Sequence, residues 1–243
     1  MKTFAEKNGN NFIVNGTKNW VTSGENSDLI IFFCKTEKGA GSKGISAFII
    51  EKGTPGLTTG KKEEKLGIRA SDTCELYFDN CEIPESNLIG NLGQGFSIAM
   101  QALGGGRIGI ASQSVGLARA ALDKTISYSQ EREQFGQLIS KFGAIQNKIA
   151  DMATNIEAAR LLVMQAATLK DQGKEYIKES SMAKLFASST AMSAATECVQ
   201  VHGGYGYMQE YGVERLMRDA KITEIYEGTS EIQRLVISRE LLK

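Results

Sequence analysis

A carboxylate stands between a loop and a helix near the C-terminus of this sequence. Glu227 and Gly228 are followed by Ser230 and, three residues later, by Gln233. That spacing is typical of a capping box and predicts a helix that begins near Glu231. Because Gly228 has no Cβ, a ligand could approach the peptide plane beside the Glu227 carboxylate. The pattern suits a catalytic base, and a solvated structural Glu is the alternative interpretation.

A glycine-rich turn follows a helical pattern at Gln200–Gly206, with the sequence QVHGGYG. Glycine at a helix end commonly supplies a left-handed residue that terminates the helix. The preceding residues have a helical and not a strand pattern, which argues against a dinucleotide-binding loop of the strand–turn–helix type. His202 is the only histidine, and no Cys, second His or Ser lies at a useful spacing. We therefore expect His202 to be structural or a minor ligand contact.

Composition narrows the class of protein. The 243 residues contain 28 Lys and Arg and 28 Asp and Glu, a balance that argues against a nucleic-acid partner or an anionic membrane surface. The longest apolar run, Leu29–Cys34, is far shorter than the ~20 residues of a membrane span. The four cysteines lack metal-ligand spacing, so we expect reduced core thiols, no metal site and an intracellular compartment.

Short strand patterns occupy the first third of the chain. Alternation and apolar runs predict strands at residues 12–14, 29–34, 45–50 and 74–78. Asn15-Gly16 predicts a two-residue hairpin between residues 12–14 and 20–22, and Pro55-Gly56 predicts another turn. An antiparallel sheet or small barrel spanning residues 1–88 is the expected result.

Helical periodicity replaces these patterns after Gly95. Apolar residues recur at intervals of three and four from Ile145 to Val163, which predicts one long amphipathic helix. Further helices are predicted at 96–130, 177–200 and 231–242. The fold class is therefore predicted as α+β, with an up-and-down four-helix bundle over residues 89–243.

Three motifs together resemble one known family. They are YSQEREQFG, QVHGGYGYMQEYGVERLMRDAK and ITEIYEGTSEIQR. In this order and spacing they resemble the acyl-CoA dehydrogenase family, closest to its short-chain and butyryl-CoA members, over Phe4–Leu242. The family's order, a β domain followed by a helical domain, agrees with the periodicity. The resemblance also implies an all-helical domain and a further strand segment before the first residue of this sequence, which form part of the acyl and flavin enclosure.

The resemblance implies FAD-dependent dehydrogenation of a short-chain acyl-CoA thioester to the trans-2-enoyl-CoA, a step of fatty-acid β-oxidation. Glu227 would remove the α proton while a hydride passes to flavin N5. A carboxylate is a weak base toward a C–H acid, so we expect a site shielded from water. Some members place the base before an arginine of the first bundle helix; that position is Gly106 here, which cannot act as one.

The resemblance also implies a set of ligand contacts. Arg107 and Gly228 would bind the substrate. Arg132 matches an arginine that reaches a pyrophosphate across a subunit interface, although a cation near a helix C-terminus is its ordinary role. Trp20 would cover the flavin, although a lone strand Trp usually lies in the core. The implied FAD contacts are Trp20, Val21, Thr22, Arg132, Phe135, Gln200, Val201, His202, Gly203, Gly204, Thr229, Ser230 and Glu231.

The implied partners are an acyl-CoA, an electron-transfer flavoprotein and further copies of the chain in a homodimer or homotetramer. The expected location is the cytoplasm of a bacterium or the mitochondrial matrix of a eukaryote. Two positions depart from the family pattern: Gly143 stands where Gln is usual and Gly104 where many short-chain members have Asp or Asn. An acyl-CoA oxidase and a catalytically silent structural subunit stay open as alternatives.

Overall fold

The computed structural model describes all 243 residues as nine strands and five α-helices. The strands are β1 (Phe4–Asn8), β2 (Asn11–Thr22), β3 (Leu29–Lys35), β4 (Ile45–Glu51), β5 (Leu57–Thr59), β6 (Thr73–Pro84), β7 (Leu88–Ile89), β8 (Glu133–Gln134) and β9 (Gln137–Leu138). The helices are α1 (Gly95–Glu131), α2 (Gly143–Asp171), α3 (Ile177–His202), α4 (Val213–Thr223) and α5 (Ser230–Leu241). The predicted α+β class is confirmed.

Two compact units divide the chain. The first unit contains residues 1–65 and 69–102, and the second contains residues 66–68 and 103–243. The first eight residues of α1 belong to the sheet unit, since Gly95 packs closely on β4: a Cβ added there would lie 2.7 Å from Ser46 Cα. The division therefore falls inside α1, beyond the boundary of 88/89 expected from the sequence.

The first unit is built on one seven-stranded sheet in the order β5-β6-β2-β1-β3-β4-β7. Neighbouring strands are antiparallel except β1 and β3, which form a parallel bridge. Alternation along the strands puts Phe12, Phe32, Phe48 and Phe78 in the core, with the Phe12 and Phe48 rings 5.0 Å apart. Edge-on and tilted aromatic packing of this kind adds to area burial.

The predicted Asn15-Gly16 hairpin is wrong. Both residues lie inside β2, at a register shift in its pairing with β6. Gly16 is needed there because a Cβ would come within 2.7 Å of Thr3 Cα and because its φ is +135°. The hairpin turn lies instead at Gly9 and Asn10, between β1 and β2. The turn predicted at Pro55-Gly56 is present.

The second unit is a helical bundle with one helix more than predicted. The long amphipathic helix is confirmed as α2, and alanines at the contact between α2 and α3 let these helices approach closely. The missed helix is α4, whose buried residues are Val213, Leu216, Ala220 and Thr223. Their 3-4-3 spacing is a helical signal, but the helix is short and lies between two turns.

A short segment of the sequence between β5 and β6 packs on the end of α4 within the second unit. The Ile68 amide donates to the Asp219 carboxylate at 2.6 Å, and Arg218 donates to the Leu66 carbonyl at 2.8 Å. A Cβ at Gly67 would collide with the Arg218 backbone. These contacts fix the C-terminal part of α4, which leads into the loop that contains Glu227.

The four cysteines, Cys34, Cys74, Cys81 and Cys198, are buried free thiols. Burial raises the pKa of the Cys34 thiol to about 12.

None of the five α-helices is both long enough and apolar enough to cross a membrane.

Candidate functional site

Glu227 lies in a tight turn between α4 and α5, called here the Glu227 turn (residues 224–229). The backbone φ of Glu227 is +53°, in the left-handed region that non-glycine residues seldom occupy, and the φ of the next residue, Gly228, is +91°. The half-buried side chain accepts no hydrogen bond from the protein and forms no ion pair. Strained backbone of this kind persists where the surroundings fix it, and it is concentrated at functional sites.

The predicted capping box at Ser230 and Gln233 is wrong in its partners. Thr229 is the N-cap, and its hydroxyl accepts from the Ile232 amide. The Ser230 hydroxyl instead donates to the Glu224 carbonyl at 3.4 Å. The Gln233 side chain donates to the carbonyls of Glu227 at 3.1 Å and Gly228 at 2.8 Å. Ser230 and Gln233 therefore stabilise the Glu227 turn through its carbonyls and do not cap helix α5.

Helix α1 supplies the surface on which the Glu227 side chain rests. A Cβ at Gly106 would lie 3.0 Å from Glu227 Cδ and would collide with Oε2, so glycine leaves room for the carboxylate in its present position. The next residue, Arg107, is 5% exposed. It donates to Ser181 Oγ at 3.3 Å, and its Nε is buried without a partner. Burial lowers the pKa of the Arg107 guanidinium, and the negative charge of Glu227 opposes that shift.

A second group of predicted residues meets around a cavity of about 520 Å³ at the end of α3. We call residues 202–204 the glycine turn. The cavity is lined by Tyr128, Arg132, Gln134, Ile139, Val201, His202, Gly203, Gly204, Tyr205 and Met208. Gly203 has φ +61°, and a Cβ added at Gly203 or Gly204 would meet nothing within 4 Å. The backbone of this turn is therefore open to a ligand.

His202 is fixed by its neighbours at this cavity. Its ring stacks on Tyr128 with centroids 4.2 Å apart, and Nδ1 donates to the Cys198 carbonyl at 2.7 Å. Because a carbonyl only accepts, the proton lies on Nδ1 and Nε2 is free to accept. Burial lowers the pKa of His202 and favours the neutral ring. The geometry fits the structural or contact role expected from the sequence.

Arg132 and Phe135 come from the segment after α1. The Arg132 guanidinium lies over the Tyr205 ring, 5.4 Å from its centroid. A cation–π contact of this kind leaves the N–H groups of the guanidinium able to donate to an anion. Phe135 is 94% exposed with φ +53°, and it does not line the cavity. Gln200 also lies outside the cavity lining.

Trp20, Val21 and Thr22 belong to the sheet unit. Trp20 is 73% exposed, with φ +59°, at the second register shift between β2 and β6. The ordinary expectation of a core Trp is therefore wrong, because the bulge turns this side chain outward. Val21 packs on the core, and its neighbour Thr22 is exposed.

Apart from Phe135 and Gln200, the predicted site residues fall into three groups. Glu227, Gly228 and Arg107 meet at the Glu227 turn, where Thr229, Ser230 and Glu231 open α5. The pKa of Glu231 is lowered by its own backbone amide and by the Thr229 hydroxyl. Arg132, Val201, His202, Gly203 and Gly204 meet at the glycine turn. Trp20–Thr22 lie in the other unit. No group of three or more His, Cys, Asp and Glu residues is arranged to hold a metal ion.

One polar residue that contacts the Glu227 turn was missed in the sequence analysis. Lys184 is fully buried in α3 and donates to the Gly228 carbonyl at 2.8 Å. The only sequence signal is a lone lysine among small and apolar residues, SMAKLFASS, and the side-chain partner cannot be read from it. At Gly104, an added Cβ would meet Ile177 Cδ1 at 2.8 Å, so a larger residue there would have to displace the Ile177 side chain.

Comparisons with known proteins agree with the motifs. The family models described as acyl-CoA dehydrogenase, middle domain, and acyl-CoA dehydrogenase, C-terminal domain, match residues 1–81 and 93–242. The mitochondrial short-chain specific acyl-CoA dehydrogenase of Rattus norvegicus is 52% identical over 99% of this chain. The solved butyryl-CoA dehydrogenase of Megasphaera elsdenii is 50% identical, with a TM-score of 0.98 over 100% of this chain.

A third similar protein is a chain in the solved structure described as the electron transferring flavoprotein of Acidaminococcus fermentans, studied for flavin-based electron bifurcation. It is 53% identical, with a TM-score of 0.99 over 100% of this chain. The chain spans 58%, 63% and 64% of the lengths of these three proteins. The resemblance inferred from the motifs is confirmed, and this chain belongs to the acyl-CoA dehydrogenase family, whose middle and C-terminal domains it contains.

Proposed function

We propose that this chain carries the proton-abstracting part of an FAD-dependent acyl-CoA dehydrogenase that converts a short-chain acyl-CoA to the trans-2-enoyl-CoA. The observation that carries the proposal is the Glu227 carboxylate, which has no protein partner and rests on the glycine surface of α1 at Gly106. A carboxylate without a competing ion pair can accept a proton from a bound substrate. The short-chain assignment is supported by the names of two similar proteins, a short-chain specific and a butyryl-CoA dehydrogenase.

The Glu227 turn also offers a hydrogen-bond donor for the thioester carbonyl. The backbone N–H of Glu227 donates to no group of the protein. A donor at the carbonyl stabilises the negative charge that develops there when the α proton leaves. Arg107, buried with its Nε unsatisfied, adds positive potential beside this turn.

The residues at the glycine turn fit part of FAD. Oxidised FAD supplies the acceptor for the hydride that leaves the β carbon. Arg132 has the planar guanidinium that suits a pyrophosphate, and the open backbone at Gly203 and Gly204 allows close approach of a ligand. The N-terminus of α5, with Thr229 as its N-cap, offers amide groups of the kind that attract phosphate or ribose oxygens. In the sheet unit, the exposed Trp20 offers an apolar face for the isoalloxazine ring.

Partners and location follow from the same family. We propose an electron-transfer flavoprotein as the electron acceptor, supported by the description of one similar structure. A homodimer or homotetramer is supported by apolar side chains exposed on α2 and α3, namely Leu161, Met164, Met182 and Phe186. The location is the cytoplasm in a bacterium or the mitochondrial matrix in a eukaryote, since a bacterial and a mitochondrial protein are both similar.

The test is the visible spectrum of the full chain with added FAD, before and after butyryl-CoA is mixed in without oxygen. The parent should bind FAD and bleach. Glu227→Gln should retain the flavin and bleach roughly 10²- to 10⁴-fold more slowly, the usual contribution of a general base. Glu240→Gln, a half-buried Glu of α5 paired with Lys243, is the matched control and should behave as the parent.

Each outcome separates the alternatives. Bleaching of Glu227→Gln at the parent rate would show that another group removes the proton. A parent that binds FAD but does not bleach, or binds none, favours the silent structural subunit. Fast reoxidation of the bleached parent by oxygen would favour an oxidase.

A further inference from the structure

Lys184 is a buried cation on α3, where the nearest buried residues of the same helix, Ser180, Ser181, Ala183 and Ala187, are small. It is 0% exposed, forms no ion pair, and directs Nζ at the Gly228 carbonyl at 2.8 Å. A buried lysine costs free energy unless its ammonium is well solvated by the protein. A residue retained at such a cost is expected to serve something other than packing.

Gln233 approaches the same turn from α5. It is also 0% exposed, and Nε2 donates to the carbonyls of both Glu227 and Gly228. Its Oε1 is buried without a partner, so the amide is oriented by its donors alone. Side chains from two helices therefore donate hydrogen bonds to two consecutive peptide carbonyls of the Glu227 turn.

We propose that Lys184 and Gln233 are positioning residues that lock the Glu227 turn from α3 and α5, and so aim the Glu227 carboxylate and its backbone N–H at a bound acyl thioester. The inference rests on the proposed function for its chemistry. Glu227 holds φ +53° and Gly228 φ +91°, and the first of these is a strained conformation for a non-glycine residue. Three hydrogen bonds to the two carbonyls fix that conformation before substrate binds.

The charges around Lys184 agree with this role. Glu224, Glu227 and Glu231 stabilise its ammonium, and Arg107 opposes them. Burial outweighs the acidic groups and lowers the pKa of Lys184 to about 8. A charged donor to a carbonyl makes a stronger bond than a neutral donor, so the hydrogen bond from Lys184 to the Gly228 carbonyl is the strongest of the three.

The first test is amide hydrogen exchange of the full chain without flavin, read by mass spectrometry over residues 224–233. The Ser230 and Gln233 amides are protected by the Glu224 and Thr229 carbonyls. In Lys184→Met, exchange of this segment should rise roughly tenfold, the equivalent of one lost charged hydrogen bond, while exchange of α2 stays at the parent rate. Lys178→Met, in the same helix but partly exposed and paired with Glu179, should leave both unchanged.

The second test separates positioning from binding in the FAD-loaded chain. In Lys184→Met the limiting rate of bleaching by butyryl-CoA should fall roughly tenfold, while the butyryl-CoA concentration that gives half the limiting rate stays within about twofold. A change in the butyryl-CoA concentration for half the limiting rate, with the limiting rate itself unchanged, would overturn the proposal.

Gln233→Met provides a second route if Lys184→Met does not fold. It should open the turn locally, as Lys184→Met does. Parent-like exchange of residues 224–233 in either folded variant would overturn the proposal, and so would loss of protection throughout α2 and α3 in both, since the two side chains would then support the bundle as a whole. A parent chain that fails to bleach would count against the proposed function alone, because the exchange experiment decides the lock without substrate.

Discussion

Glycines in or beside two turns of the helical unit are needed for opposite physical reasons. At the Glu227 turn, a Cβ on Gly106 would collide with the Glu227 carboxylate, and one on Gly228 would lie 2.8 Å from Gln233 Nε2. At the glycine turn, a Cβ on Gly203 or Gly204 would meet nothing within 4 Å. In the first turn glycine lets protein atoms touch each other, and in the second it leaves backbone exposed beside a cavity.

This difference in packing indicates a different role for each turn. The Glu227 turn is closed on itself, with two buried donors on its carbonyls, and it can hold one carboxylate in one direction. The glycine turn is open, and its polar groups have room for a large cofactor. Substitutions should therefore act on rate and local stability at the first turn and on cofactor binding at the second.

The largest effect is expected from the buried charge at the closed turn. An unfolded lysine keeps its proton to about pH 10.5, whereas Lys184 in the folded chain loses it near pH 8. The folded state then binds fewer protons between these values, so the free energy of unfolding rises with pH, by roughly 3 kcal/mol relative to Lys184→Met. Urea unfolding of both proteins at pH 7.5, 9 and 10 measures this difference. Parallel pH dependences would contradict the burial of the ammonium.

Gly106→Ala tests the close contact directly. The new Cβ must displace the Glu227 carboxylate, and a displacement of about 1 Å lowers a rate by about 100-fold. The bleaching rate with butyryl-CoA is the measurement. Gly109→Ala lies one turn further along α1, with nothing within 4 Å of the added atom, so it should keep the parent rate. Equal rates in the two variants would remove the basis for calling this turn closed.

Arg132→Lys tests the open turn. Lysine keeps the positive charge but loses the planar, bidentate donor, so affinity for FAD should fall about tenfold. Flavin fluorescence titration gives the dissociation constant. Arg119→Lys, at an exposed site paired with Asp123, is the control. A loss of affinity in the control of the same size would show a general electrostatic effect and not recognition at the cavity.

Gly203→Ala is expected to have the smallest effect. Alanine at φ +61° and ψ −136° lies in a backbone region that glycine alone occupies readily, so it should destabilise the chain by about 1 kcal/mol. Gly204→Ala adds the same atom at a position without positive φ and should leave stability unchanged. Thermal unfolding of the two variants compares them, and an equal loss of stability in both would mean that Gly204 also is constrained by packing.

Much of the fold could be predicted from local patterns. Period-two alternation identified Cys74, Leu76 and Phe78 as the inner face of β6, and intervals of three and four identified α2. The hairpin at Asn15-Gly16 could not be excluded in this way, because Gly16 serves the close approach of Thr3, a contact set by strand pairing. Helix α4 was missed because its short pattern is interrupted at both ends by turns.

The sequence by itself determined the family motifs, the α+β order and the residue types at the two turns, since these depend on local order along one chain. Only the tertiary structure decided that Gly106 lies under Glu227, that Lys184 and Gln233 grip the same turn, and that Trp20 points outward. These contacts are between residues that lie far apart in the sequence, such as Gly106 and Glu227. Packing of whole helices and strands sets such contacts, and no spacing within a segment encodes them.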